Sequence, residues 1–98
     1  NERLIIRTST QVPFHVRRIV AEVLNFPLHK IRVIKPRVGG AFGGKQEILN
    51  EELVAAVTIR AGRPARLEFT RAEELYAARS RHPQIVTLKI GINADHTI

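Results

Sequence analysis

The sequence contains no cysteine, no methionine and no tryptophan. Without cysteine there is no disulfide, no thiolate metal site and no cysteine nucleophile within these residues. No apolar run approaches the ~20 residues that a membrane-spanning helix needs. The opening Asn1-Glu2-Arg3 lacks the basic-then-apolar plan of a signal peptide. It also lacks a starting methionine, so the natural start is expected to lie upstream or to have been removed. Acidic residues are scarce beside basic ones, nine against sixteen, for a formal net charge of +7. The four histidines, His15, His29, His82 and His96, are spaced by 14, 53 and 14 residues. None of these intervals matches the short spacings of a zinc site.

What is present is ordinary for a globular chain. The 98 residues are 44% hydrophobic and 26% charged. That composition argues against disorder, and the length suits one domain with one core over residues 1–98. The basic excess is compatible with nucleic acid, an anionic cofactor, an acidic partner subunit, or a larger protein that balances the charge. Its densest run, residues 30–37, lies just ahead of a glycine cluster.

Hydrophobic periodicity predicts an α+β fold in the order β-α-β-α-β-(short α)-β, a small mixed sheet with helices packed on it. Arg3 to Thr8 alternates as a strand. Thr8-Ser9-Thr10-Gln11 has turn or cap chemistry, and Pro13 suits a first helical turn. Val16, Ile19, Val20, Val23 and Leu24 then form one apolar helical face, ended by Asn25 and Pro27. Ile31 to Lys35 reads as a second strand. A second helix is expected over Glu47 to Ala61, apolar on most sides of its back half and therefore buried, with Gly62 as its C′ residue. Alternation predicts a third strand over Ala65 to Thr70 and a fourth over Gln84 to Ile90. Between them Thr70-Arg71-Ala72-Glu73 has capping-box spacing and opens a short helix. Residues 91–96 read as a turn, and Thr97-Ile98 as the start of another strand in a longer chain.

The chemistry concentrates in Gly39-Gly40-Ala41-Phe42-Gly43-Gly44-Lys45. Glycine lets backbone approach a ligand closely, and successive peptide N–H groups ahead of a helix attract anionic or oxo groups. Phe42 is either a core anchor or an aromatic pocket wall. If the first two strands are parallel, the turn at Gln11 and this loop share one sheet edge and face one ligand. The loop fits a P-loop except that Gln46 stands where Ser or Thr would hold magnesium, which argues against an NTPase. Gly40-Ala41-Phe42-Gly43 also has the G-x-x-G form of an RNA-binding loop, the alternative reading for a basic module, although that loop joins two helices.

The run from Arg32 to Gln46, with its Val38-Gly39-Gly40-Ala41-Phe42-Gly43-Gly44-Lys45 core, strongly resembles the molybdenum-cofactor-binding subunit of the xanthine dehydrogenase and aldehyde oxidase family. Ser9-Thr10-Gln11, Ala61-Gly62-Arg63-Pro64, Thr70 to Glu74 and Arg81-His82-Pro83 follow the family's order, so the resemblance spans nearly the whole chain. It implies that Gln11 donates to an oxygen on molybdenum. It implies that Gly40, Phe42 and Gly43 belong to the cofactor-binding set, the backbone of Phe42 and Gly43 touching the pterin and an oxo ligand of the metal. Gln46 stands near the substrate, where purine-oxidising members often carry glutamate. The implied cofactor is molybdenum-molybdopterin, in its plain or cytosine dinucleotide form. Iron–sulfur clusters and FAD are expected on other domains or subunits. The implied activity is oxidative hydroxylation of a purine, a similar N-heterocycle or an aldehyde, with water as the oxygen source. The base would come from later in the chain, so no catalytic residue is assigned here and these residues alone are expected to be inactive. Partners are expected to be the remainder of the molybdenum subunit, the electron-transfer domains and a small-molecule substrate, without nucleic acid or a membrane span, in the cytoplasm.

Overall fold

A computed structural model of the chain describes residues 3–98. The first alternating run forms β1, Leu4–Arg7. Leu4 is buried and Ile6 half-buried on one face, while Ile5 and Arg7 are exposed on the other. The expected helix follows as α1, Pro13–Val23, with proline in its first turn and no side-chain cap. Val16 and Val20 carry its apolar face fully into the core. The helix gives way at Asn25, whose φ of 47° is left-handed, a conformation asparagine tolerates better than most residues. A 3₁₀ turn, Leu28–Lys30, then leads into β2, Ile31–Ile34.

β2 lies parallel to β1, with Leu4 opposite Ile31 and Arg7 opposite Ile34. Both strands therefore end at the same edge, as the sequence pattern requires of a crossover. α2, Glu51–Ala61, packs on the same face as α1, and Ala55 joins Leu4, Val16, Val20 and Ile31 in one core. Its end is as expected: Gly62 takes the left-handed cap at φ 62°.

The start of α2 differs from the expectation of Glu47. Glu51 is only 8% exposed and ties the preceding chain down. Its carboxylate accepts from the N–H groups of Leu49 at 3.1 Å and Asn50 at 3.3 Å, and from the Thr8 hydroxyl at 2.8 Å. These bonds hold residues ahead of Glu51 out of helical geometry. The expected burial of the back half of α2 is also not seen. Leu53, Val57 and Ile59 are all exposed, because the sheet and α1 cover one side and no described element covers the other.

α3, Arg71–Ala77, begins with the capping box that its sequence predicts. Thr70 Oγ1 accepts from the Glu73 N–H, and the Glu73 carboxylate accepts from the Thr70 N–H at 2.7 Å and hydroxyl at 2.9 Å. The bond from the Thr70 backbone, then that from its hydroxyl, holds Glu73 below its ordinary value of 4.5. The depressed value belongs to the folded state, so this contribution is full above the ordinary value and fades as pH falls through the lower one. Thr70→Ala removes the hydroxyl but keeps the N–H. An NMR titration of that variant is expected to show the Glu73 pKa moving part of the way back up; an unmoved value would contradict the box.

The strands expected over residues 65–70 and 84–90 do not form, and the described sheet has only β1 and β2. A ladder needs a partner edge. Residues 65–69 are separated from β1 by a trough, and residues 84–90 stand away from every other element with Ile85 fully exposed. The radius of gyration is 20.0 Å, with a longest extent of 72 Å. A compact chain of this size would have a radius of about 13 Å.

Candidate functional site

The edge where β1 and β2 end carries two loops, and Gln11 joins them. Its backbone N–H donates to the Lys45 carbonyl at 2.8 Å. Its side-chain Oε1 accepts from the N–H groups of Gly43 at 3.2 Å and Lys45 at 3.3 Å. Both partners are donors, which fixes the amide: oxygen faces the glycine loop and Nε2 faces away. Gln11 is exposed, and its Nε2 makes no hydrogen bond to another described residue. Two N–H donors are thus held on a rigid mount and aimed outward. The parallel crossover brings Gln11 and the loop together as the sequence implies.

Thr10 and Lys45 lock the mount in place. Thr10 is 1% exposed. Its hydroxyl accepts from the Val12 N–H at 3.0 Å and donates to the Lys45 carbonyl at 3.3 Å. Lys45 Nζ donates to Ser9 Oγ at 2.8 Å. Its ammonium is bonded to the Gln11 loop, well before the first residue of α2.

The glycine loop runs from β2 towards α2 and turns at residues 41–44. Gly44 N–H donates to the Ala41 carbonyl at 2.7 Å, and Gln46 N–H to the Gly43 carbonyl at 3.3 Å. Phe42 and Gly43, the two central residues, have φ of 49° and 90°. A left-handed phenylalanine is rare outside strained functional turns. The backbone there turns the ring outward, 86% exposed, which favours a pocket wall over a core anchor. A Cβ on Gly40 would sit 3.2 Å from Cε2 of that ring, so this glycine leaves room for it.

The Gly43 N–H is taken by Gln11 Oε1. Within the loop 39–45, the backbone donors without a partner among the described residues are those of Gly39, Gly40, Ala41 and Phe42. Gln46 lies exposed on the loop's rim, its backbone bonded to Gly43 and its side chain open. Of the three carboxylates in this region, Glu51 is the structural tie described above, Glu47 pairs with Arg79 across the surface, and half-buried Glu52 has one oxygen, Oε2, without a hydrogen-bond partner among the described residues. Among the described residues no group of three His, Cys, Asp or Glu could hold a metal ion directly. Among the described residues no helix is long and apolar enough to cross a membrane.

An outward amide, four unpaired peptide N–H groups and an exposed aromatic ring suit an oxygen-rich, anionic ligand with a flat portion. The family model described as "Molybdopterin cofactor-binding domain" matches residues 1–98. The chain is 51% identical, over 96% of its length, to a probable hypoxanthine oxidase of Escherichia coli K12. It is 40% identical, over its whole length, to a putative xanthine dehydrogenase molybdenum-binding subunit of the same strain. It is 38% identical over 93% of its length to aldehyde oxidase 2 of Cavia porcellus. The chain spans 10%, 13% and 7% of the lengths of these three relatives. No solved structure matches it. None of these descriptions supports the nucleic-acid alternative, and the G-x-x-G residues lie between a strand and a helix rather than between two helices.

Proposed function

Because the chain belongs to the molybdopterin cofactor-binding domain family, we propose that it forms one wall of the cofactor site of a molybdenum hydroxylase. The observation that carries this reading is the double anchoring of Gln11 Oε1 by Gly43 and Lys45, which leaves Nε2 as an oriented donor. Gln11 Nε2 would donate to an oxygen ligand of the metal. The N–H groups of Gly40, Ala41 and Phe42 would hold the cofactor's polar groups, and Gly43 keeps the loop in shape by way of Gln11. When bound, the cofactor supplies the two-electron oxidation of a carbon centre.

The residues of this chain bind and orient; no group here is placed to move a proton. Gln46 on the rim is a neutral donor and acceptor that can read a heterocycle's edge but cannot share a charge with it. A purine or similar N-heterocycle is the favoured substrate class, supported by the 51% identity to a probable hypoxanthine oxidase, with aldehydes as the wider range. The cytosine dinucleotide form of the cofactor, and iron–sulfur and FAD domains as electron partners in the cytoplasm, belong to the same proposal. So does the reading of residues 1–98 as one structural piece of a larger subunit.

Full-length protein supplied with hypoxanthine in ¹⁸O-labelled water is expected to place the label in the product. Product carrying oxygen from unlabelled O₂ instead would contradict the reaction class.

A further inference from the structure

Among the described residues of the two site loops, Thr10 alone is fully buried, at 1% exposure. Its hydroxyl stands between one donor and one acceptor. The Val12 N–H, 3.0 Å away, can only donate, and the Lys45 carbonyl, 3.3 Å away, can only accept. The hydroxyl proton is therefore committed to Lys45. That bond is long for a hydroxyl, but burial keeps water from competing for it, and Thr10 has no other acceptor among the described residues.

The Lys45 carbonyl belongs to the peptide that joins Lys45 to Gln46, and three bonds clamp that peptide. Its oxygen accepts from the Gln11 N–H at 2.8 Å and from the Thr10 hydroxyl. Its N–H, on Gln46, donates to the Gly43 carbonyl at 3.3 Å. One donor alone would leave the carbonyl as a pivot. Two donors from adjacent residues occupy both lone pairs and fix its direction. Gly43 and Lys45 in turn present the N–H groups that hold Gln11 Oε1, at 3.2 and 3.3 Å. Those two bonds are long and exposed, so water competes for them. The orientation of the Gln11 amide thus depends on where the loop backbone is held. The other side-chain tie between the loops, Lys45 Nζ to Ser9 Oγ, is exposed to water as well.

We propose that Thr10 is a positioning residue. By fixing the peptide between Lys45 and Gln46, its buried hydroxyl keeps Gln11 Oε1 on the glycine loop and Nε2 towards the ligand. The proposal rests on the reading of Gln11 as a donor to the cofactor.

Thr10→Val keeps the shape of the side chain and removes the hydroxyl. In the full-length protein, amide hydrogen exchange over residues 40–46 is expected to rise about tenfold in Thr10→Val and to return near the wild-type rate in Thr10→Ser. That readout needs no turnover. In Thr10→Val, kcat per bound molybdenum is expected to fall about ten- to a hundredfold with KM little changed, and Thr10→Ser should recover most of the loss. In a Gln11→Glu background, Thr10→Val should lower kcat by less than about threefold further, because the Nε2 donor is already gone. Loop exchange indifferent to Thr10→Val, or the full further loss in the Gln11→Glu background, would overturn the proposal alone. Wild-type kcat in Gln11→Glu would remove the reading on which it rests, and the proposal with it. Should Thr10→Val not fold, Thr10→Cys takes its place. A thiol is a weaker donor, so a partial change in both readouts is expected. Wild-type exchange and kcat in Thr10→Cys would likewise overturn the proposal.

Discussion

Gln11→Glu is expected to lower kcat of the full-length enzyme by roughly 10²–10³, the usual effect of removing one preorganised donor. The substitution keeps the shape of the side chain. A carboxylate oxygen can still accept from the Gly43 and Lys45 N–H groups, which lie 3.2 and 3.3 Å from the present oxygen. What disappears is the Nε2 donor pair, replaced by a second acceptor facing the ligand. Gln11→Ala is less informative, because it also releases the two loop N–H groups. The loss should appear in kcat with the protein's thermal unfolding unchanged. Wild-type turnover in Gln11→Glu would remove Gln11 from the site.

Gly43→Val is expected to damage the loop itself. The space around a Cβ at Gly43 is open, with nothing within 4 Å, so crowding is not the cause. The cause is the backbone φ of 90°. Holding an L-residue in the left-handed region costs roughly 1–2 kcal/mol, and a β-branched one suffers most. That range corresponds to about five- to thirtyfold in an equilibrium constant, and here it acts on the loop geometry that cofactor retention needs. Molybdenum bound per subunit is the readout. Gly43→Asn should be milder, because asparagine visits this region more readily. Equal losses in the two variants, or none in either, would show that the conformation of Gly43 does not matter.

Features fixed by neighbouring residues were legible in the sequence. Pro13, Gly62 and the Thr70–Glu73 box mark helix ends through local chemistry, and each stands at the helix end it marks. The parallel pairing stood in the sequence only as a condition, and the meeting of Gln11 with the glycine loop depended on it; the structure meets that condition. Features set by distant partners were not legible. The first residue of α2 is decided by Glu51 bonding Thr8 across the fold, and helical periodicity carries no trace of that. Lys45 reaching Ser9 is equally non-local. The sequence leaves Phe42 open between anchor and wall; its left-handed backbone decides, and glycine neighbours alone could not. The strand patterns at residues 65–70 and 84–90 are clear, but a strand exists only with its neighbour.

Metal content tests the cofactor reading most directly. The full-length protein, purified from cells in which cofactor assembly is working, should be measured by elemental mass spectrometry. About one molybdenum per subunit is expected, the stoichiometry of a single cofactor site. Protein that is folded, purified under those conditions and free of molybdenum would contradict the assignment of Gln11 and the glycine loop to a molybdenum cofactor.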